Sequence, residues 1–174
     1  MLKNNNIYWI ISHPNLKKGS KMNFKIYNEL KNGLNSKNFN YQVRDLYDEY
    51  SDFKIDVKKE QEYLVNSDLV IIQFPIYWYS SPALLKEWFD KVFEYDFAYG
   101  PNGNKLTNKK VIFIATSGAP KENYLIHGSD KQSLEEYLSP IFRLVEYCGM
   151  EKIGINISYK NMDKFDVKDI LKLI

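Results

Sequence analysis

One short stretch of the chain gathers aromatic side chains around the end of an apolar run. Residues 74–82 read Phe-Pro-Ile-Tyr-Trp-Tyr-Ser-Ser-Pro. Backbone N–H groups at such a strand end would be free to meet the edge of a planar heterocycle, and Trp78 and Tyr79 would add apolar walls with polar tips. Dense packing against the protein's own core is the alternative interpretation. The neighbouring segments have to decide between the two.

A second segment with suitable chemistry runs from Ser12 to Ile26. Gly19, Ser20 and Asn23 lie where a helix is predicted to begin, and the N–H groups at a helix start, helped by Ser and Asn side chains, suit a phosphate. An ordinary Ser N-cap is the alternative. His13 is a candidate for ligand contact or for a structural hydrogen bond. The segment lacks the glycine spacing of the common nucleoside triphosphate and dinucleotide motifs.

A third segment, residues 115–128, combines small residues with two proton-bearing side chains. Ser117, Gly118 and Ala119 would allow the backbone to approach a ligand closely. Tyr124 and His127 follow and could donate hydrogen bonds or protons. A Tyr and a His in a loop can equally be structural, so their value depends on whether this loop lies beside the other two.

Strand-like and helix-like runs alternate along the chain, which predicts an α/β fold with a parallel sheet covered on both faces. Strands are predicted at Ile7–Ser12, Tyr41–Leu46, Asp68–Phe74, Lys110–Thr116 and Lys152–Ser158. Helices are predicted at Lys21–Ser36, Lys58–Asn66, Pro82–Phe93, Ser133–Cys148 and Asp166–Leu173. In the third helix an apolar stripe should face the core: Leu84, Leu85, Trp88, Phe89, Val92 and Phe93.

The strand sequences also indicate the order of the sheet. The first, third and fourth are almost continuously apolar, as expected for strands buried on both faces, whereas the second and fifth carry polar residues and suit the edges. Right-handed crossovers then favour the order 2-1-3-4-5, a flavodoxin-like three-layer sandwich. Such sheets bind ligands beyond the carboxyl ends of their strands, where all three segments are expected to meet. Residues 1–174 are predicted to form a single domain.

Composition excludes several classes of function. The net charge of +2 comes from 24 basic and 22 acidic residues that are interspersed, which argues against nucleic-acid binding. It also argues against an electron-transfer flavodoxin, since those proteins are strongly acidic. Apolar runs are too short for a membrane span. The single Cys148 fits a reducing compartment, so a cytoplasmic protein is expected. No metal site is predicted.

The three segments resemble those of the flavodoxin-like NAD(P)H dehydrogenases (quinone). The matching stretches are HPNL with SKMN, then FPIYWYSSPALLKEWFDKVFEYDFAYG, TSGAPKENY, HG and CGM, which together span residues 7 to about 152. The long central stretch is the most specific. The chain is most similar to short bacterial members, of the modulator-of-drug-activity and potassium-efflux ancillary type.

The resemblance implies a flavin cofactor, FMN rather than FAD because the C-terminus is short, with NAD(P)H as co-substrate. It implies ping-pong transfer of two electrons to quinones or other electrophilic acceptors. The residues implied to bind the flavin are His13, Ser20, Met22, Asn23, Pro75, Ile76, Tyr77, Trp78, Tyr79, Thr116, Ser117, Gly118 and Ala119. Tyr124 and His127 match the family's Tyr and His, which are proposed to balance charge on the reduced flavin. Two departures are Thr-Ser-Gly-Ala in place of Thr-Gly-Gly and a Tyr-to-His spacing shorter than in DT-diaphorase.

The resemblance also implies a homodimer with two sites at its interface. Tyr95, Phe97 and Tyr99 form a segment too aromatic to lie wholly in water, and packing back on their own core is the alternative. The other function that the resemblance allows is a regulatory flavoprotein subunit of a potassium efflux system, with or without turnover. Such a protein would bind a membrane transporter, peripherally at the inner face of the membrane.

Overall fold

In a computed structural model, residues 6–161 and 165–174 are described. Five parallel strands form one sheet in the order β2-β1-β3-β4-β5, as the sequence predicts. Their bounds are β1 Asn6–Ile11, β2 Asn40–Asp45, β3 Leu69–Pro75, β4 Lys110–Thr116 and β5 Glu151–Ser158. The predicted bounds differ from these by at most one residue at either end. The polar strands β2 and β5 are the edge strands, which confirms the interpretation of their sequences.

Eight α-helices connect or flank the strands within the described ranges. They are α1 Leu16–Gly19, α2 Lys21–Ser36, α3 Leu46–Glu49, α4 Val57–Asn66, α5 Ala83–Val92, α6 Leu134–Tyr137, α7 Ser139–Tyr147 and α8 Val167–Leu173. One 3₁₀ helix, Lys121–Tyr124, lies in the loop after β4. Among the described residues, no helix is both long and apolar enough to cross a membrane.

Alternation along the central strands divides the core into two layers. On β1, Tyr8 and Ile10 pack toward α4 and α5, whereas Ile7, Trp9 and Ile11 pack toward α2 and α8. The predicted stripe of α5 is buried throughout, which confirms that it packs in the core. Burial on both faces explains why β1, β3 and β4 are almost continuously apolar.

The predicted helix Ser133–Cys148 is interrupted at Leu138, so that prediction is wrong in its continuity. Pro140 has no N–H group to donate to the carbonyl of Glu136 four residues earlier. The Ser139 hydroxyl donates to that carbonyl instead, at 2.7 Å. The chain therefore forms two helices, and the Pro lies in the first turn of the second, where its missing N–H costs nothing.

Candidate active site

A cleft of about 380 Å³ opens beyond the carboxyl ends of β3 and β4. The loop after β3 contributes Ile76, Trp78 and Tyr79, and the loop after β4 contributes Ser117, Gly118, Ala119 and Tyr124. All seven are residues that the sequence singled out. The volume falls in the range of small-molecule sites, roughly 300–1,000 Å³. The second and third segments therefore form opposite sides of one concave site.

The loop after β3 contains a tight two-residue turn with strained backbone. Trp78 and Tyr79 have φ angles of 47° and 63°, in the left-handed region that bulky residues rarely adopt. Tyr77 and Ser80 close the turn by exchanging two backbone hydrogen bonds of 2.9 and 3.0 Å. Two central residues with positive φ are the mark of a type I′ turn, which normally uses Asn and Gly. Each such residue costs about 1–3 kcal/mol, and such strain clusters at functional sites.

The strained turn also exposes groups that a ligand could use. The Trp78 side chain is 93% exposed. Among the described residues, the backbone N–H groups of Trp78 and Tyr79 have no hydrogen-bond partner. A planar ligand could therefore lie against the indole while its edge accepts from these two N–H groups.

Tyr79 is held from the opposite side of the cleft by a residue 51 positions later in the chain. Its hydroxyl donates to the Asp130 carboxylate at 3.1 Å, and this bond raises the pKa of Tyr79. Its ring lies 4.7 Å from that of Tyr137, whose hydroxyl donates to the Asp130 carbonyl at 3.3 Å. These contacts tie the loop after β3 to the loop after β4.

Two glycines shape the loop after β4 in opposite ways. A Cβ atom added to Gly118 would meet no atom within 4 Å, so this backbone borders open space in the cleft. A Cβ added to Gly128 would come within 2.2 Å of the Glu122 carbonyl oxygen. Gly128 is thus required for the loop to fold back on the 3₁₀ helix. The space beside Gly118 would allow a ligand to approach this backbone closely.

The first segment contributes the start of α2. The Ser20 hydroxyl caps the helix by accepting from the N–H of Asn23 at 3.0 Å. The N–H groups of Lys21 and Met22 precede that position and have no partner within a helix. Because N–H groups and the helix dipole favour an anion there, this helix start suits a phosphate.

His13 is buried at the end of β1. Its Nδ1 accepts from the backbone N–H of Asn15 at 3.0 Å, and burial lowers its pKa below the ordinary value. The imidazole is therefore neutral at pH 7 and carries its proton on Nε2, which leaves one donor. Next to it, the Ser12 hydroxyl is fully buried and has no hydrogen-bond partner within the described part of the chain.

Asn23 and Thr116 lie inside the protein and not on the wall of the cleft. The Asn23 side chain donates to the Thr116 hydroxyl at 2.7 Å, and Gln73 donates to the Asn23 carbonyl at 2.9 Å. This buried network joins α2 to the carboxyl ends of β3 and β4. It brings the first segment beside the other two.

Comparison with known proteins agrees with this arrangement. A family model described as "Flavodoxin-like fold" matches residues 5–172. The chain belongs to this family. It is 38% identical over 162 residues to the "Uncharacterized NAD(P)H oxidoreductase YrkL" of Bacillus subtilis (strain 168). The aligned region covers 92% of this chain and 90% of that protein.

Two further relatives of the flavodoxin-like chain carry more specific names. The "Glutathione-regulated potassium-efflux system ancillary protein KefF" of Enterobacter sp. (strain 638) is 40% identical over 110 residues, 63% of this chain and 61% of that protein. The crystal structure of general stress protein 14 from Treponema denticola in complex with FMN superposes with a TM-score of 0.79 at 27% identity. That superposition covers 97% of this chain and 92% of the other. The resemblance seen in the sequence is confirmed.

The flavodoxin-like cleft passes a first test of fit to a flavin. The strained turn with its two free N–H groups and the open backbone at Gly118 suit a flat polar ring system. The start of α2 offers further N–H groups, which suit a phosphate, whereas the unpartnered Ser12 hydroxyl is fully buried beneath the cleft. The N–H groups at the turn and at the start of α2 are thus not used by the described residues.

Some predicted residues lie apart from the cleft. His127 is exposed near the tip of the loop after β4 and is not among the residues that line the cleft. Pro75 is buried at the end of β3, and Tyr77 is exposed beside the turn. Met22 is half-buried against the α2 face of the core.

Sequence reasoning missed residues that the structure brings to the site. Asn123, Ser129 and Asp130 line the cleft, and Ser12 and Gln73 lie buried beneath it. Polar residues in a loop carry no local signal that they face a ligand. Gln73, a fully buried amide in an apolar strand, is the one that could have been suspected, since buried polar groups need a reason.

Proposed function

We propose that the chain is an FMN-dependent NAD(P)H:quinone oxidoreductase. The observation that carries the proposal is the strained Trp78–Tyr79 turn, which lines a cleft bordered by open backbone at Gly118 and leaves two N–H groups without a partner among the described residues. The strained backbone costs stability in the free protein, so a ligand that uses the turn explains why it persists. The name of one relative supports NAD(P)H as the co-substrate, and the FMN complex of a similar structure supports FMN as the ligand.

The residues of the three loops would hold the cofactor in different ways. The start of α2, Ser20 and the Nε2–H of His13 would bind the phosphate end. Ile76, Trp78 and Tyr79 would bound the ring system on one side, and the backbone of residues 116–119 would bound the other. The side chains of Asn23 and Thr116 are proposed to position this frame from inside, because their polar atoms bond to each other.

When bound, FMN supplies the two-electron chemistry that passes hydride from NAD(P)H to a quinone. The protein orients the reactants in turn at one cleft and keeps water from one side of it. Tyr124 would stabilise negative charge that develops in the cleft, since it is one of the residues that line the cleft. His127 would have to move inward to take part, and its exposure makes a role in proton exchange with solvent the simpler proposal.

The test is purification, an absorbance spectrum after supplying FMN, and an NADPH oxidation assay with menadione as acceptor. We expect non-covalent flavin bands and menadione-dependent oxidation. Removal of FMN should abolish turnover, and adding it back should restore turnover. If the protein retains FMN but passes no electrons to any quinone, the proposed oxidoreductase activity would be contradicted. A function in binding alone would then remain.

We further propose that the domain, residues 1–174, assembles as a homodimer. Tyr95 and Tyr147 are 61% and 65% exposed, and Tyr99 lies between them with ring centroids at 5.8 and 6.0 Å. Phe97 packs back against the core, as the alternative interpretation of this segment allowed. A row of three exposed tyrosines is the kind of surface that a partner covers.

Light scattering tests the dimer directly. We expect about twice the chain mass of 20.6 kDa at micromolar concentration. Tyr147→Glu should shift the mass toward that of one chain, and Glu146→Gln, on the same exposed side of α7, is the matched control. Wild-type protein with the mass of a single chain would contradict the proposal.

A second candidate function is regulation of a potassium efflux system from the cytoplasmic face of the membrane. The similarity to the KefF ancillary protein favours it, over 63% of this chain. A complex with the transporter, purified together with tagged protein from its own host, would support this role. It is compatible with turnover, so the oxidation assay does not decide it.

A further inference from the structure

The hydroxyl of Ser117 lies among three polar groups of the loop after β4, and it has one proton. Its Oγ is 3.1 Å from the hydroxyl of Tyr124, 3.1 Å from the backbone N of Ala119 and 3.2 Å from the backbone O of Ala119. The side chain is 3% exposed, so solvent does not compete for these bonds. The geometry therefore limits how the protons can be arranged.

A count of donors and acceptors leaves two arrangements. The Ala119 N–H can only donate, so it occupies one lone pair of the Ser117 oxygen. In the first arrangement Ser117 donates to the Ala119 carbonyl and accepts from Tyr124, whose proton is then used. In the second, Ser117 donates to Tyr124, and the proton of Tyr124 is free to point into the cleft.

The second arrangement leaves no buried carbonyl unpaired. The Ala119 carbonyl also accepts from the N–H of Lys160 at 3.1 Å, so it keeps a partner when Ser117 turns away. The two arrangements differ only in the rotation of two hydroxyl groups. Neither side chain has to leave its position, and the exchange carries no large desolvation cost.

We propose that Ser117 is a positioning residue that redirects the Tyr124 proton: Tyr124 donates to Ser117 in the first arrangement, and in the second it accepts from Ser117 and donates into the cleft. This inference rests on the proposed function and deepens it. Negative charge that develops in the cleft favours the second arrangement, because Tyr124 then donates toward the charge. Donation from Ser117 polarises the phenol and makes it a stronger donor than it would be alone.

The switch predicts that Ser117 acts only through Tyr124. In FMN-loaded protein mixed with NADPH in a stopped-flow instrument, Ser117→Ala should slow flavin reduction roughly fivefold, the scale of one hydrogen bond. Tyr124→Phe should slow it about tenfold or more. The double variant should be no slower than Tyr124→Phe, and Ser117→Thr, which keeps the hydroxyl, should restore most of the rate.

A second readout does not depend on turnover. Ser117→Ala should move the midpoint potential of the bound flavin to more negative values when Tyr124 is present and leave it unchanged in the Tyr124→Phe background. The apoprotein's affinity for oxidised FMN should change less than the reduction rate does. Ser36→Ala is the control, since its exposed hydroxyl donates to the Gly33 carbonyl in the last turn of α2, at the opposite end of that helix from Ser20.

Equal slowing by Ser117→Ala in the wild-type and the Tyr124→Phe backgrounds would overturn the switch and make Ser117 a structural residue. An unchanged rate and potential in Ser117→Ala would overturn it as well. If wild-type protein binds no FMN or is not reduced, the proposed function fails and this inference fails with it. The two failures are therefore distinguishable.

Discussion

Two polar regions of the molecule differ in whether their hydrogen-bonding groups have partners within the protein. Between the sheet and α4, the Glu60 carboxylate is fully buried and accepts four hydrogen bonds. Its donors are Arg44 at 3.1 Å, Tyr50 at 2.7 Å, the indole of Trp88 at 2.8 Å and the hydroxyl of Tyr8. At the cleft, by contrast, the backbone N–H groups of Trp78 and Tyr79 have no partner in the described residues, and both residues adopt positive φ.

The difference separates polar groups that maintain the fold from those that await a ligand. Arg44 makes a second ion pair with Glu49 at 2.8 Å and packs over the Tyr63 ring at 5.0 Å, so the buried charges are neutralised within the protein. A satisfied network of this kind is rigid, whereas the strained backbone of the turn costs stability until something binds. Substitutions in the two regions should therefore differ in what they change.

The largest effect is expected at Glu60. Glu60→Gln replaces one accepting oxygen with an NH₂ group, which faces hydrogen-bond donors and cannot accept from them. Arg44 then keeps only the half-exposed Glu49 as a carboxylate partner among the described residues. Removing one member of a buried ion pair costs about 3–5 kcal/mol. Urea unfolding of the apoprotein measures this loss. The control is Glu62→Gln, an exposed residue on the same helix, which should change stability by less than about 0.5 kcal/mol.

Trp78→Gly should change stability and binding in opposite directions. Glycine adopts positive φ without strain, so the free energy of unfolding of the apoprotein should rise by about 1 kcal/mol. Loss of the aromatic wall should weaken FMN binding by about 1–3 kcal/mol, by analogy with base stacking on aromatic residues. Urea unfolding and FMN fluorescence titration measure the two. If the variant is less stable and its FMN affinity is unchanged, Trp78 does not belong to the FMN site.

Much of this contrast lies beyond sequence reasoning. Strand order follows from which runs are continuously apolar, and the stripe of α5 follows from helical spacing. The left-handed turn could not be predicted, because Trp and Tyr are not residues that normally adopt it. Nor could the burial of Glu60 be read from the charged stretch around it. The Tyr79–Asp130 contact joins residues 51 positions apart, and only the folded chain shows such pairs.

Gly118→Ala should weaken binding without affecting the fold. The added methyl group meets no atom of the protein within 4 Å, so unfolding of the apoprotein should be unchanged within about 0.5 kcal/mol. A ligand that packs against this backbone would meet the methyl group, and FMN affinity should fall about tenfold. Gly128→Ala offers the contrast, since its methyl group would collide with backbone and should destabilise the loop itself.

The smallest effect concerns Asp45, the neighbour of Arg44 on β2. Burial raises the pKa of Asp45 to about 6, against an unfolded value of about 3.9. Folding therefore favours the protonated form. The stability contributed by protonation is full below the unfolded pKa and is lost as pH rises through about 6.

Asp45→Asn should consequently be more stable than wild type at pH 8, by about 1 kcal/mol because solvent screens this half-buried carboxylate, and should lose this advantage near pH 4. Asn keeps the cap that Asp45 provides to the N–H of Tyr47 at the start of α3. Urea unfolding at the two pH values measures the difference. An equal effect at both would show that the charge of Asp45 carries no cost in the fold.

The central claim is that the unpaired groups at the cleft exist to bind FMN, including its phosphate. Equilibrium titration of the wild-type apoprotein, followed by quenching of flavin fluorescence, tests this most directly. We predict one FMN per chain with a Kd on the order of 1 µM or tighter, and binding of riboflavin at least about tenfold weaker, because it lacks the phosphate that the start of α2 would hold. No quenching by FMN, or equal affinity for FMN and riboflavin, would contradict the account.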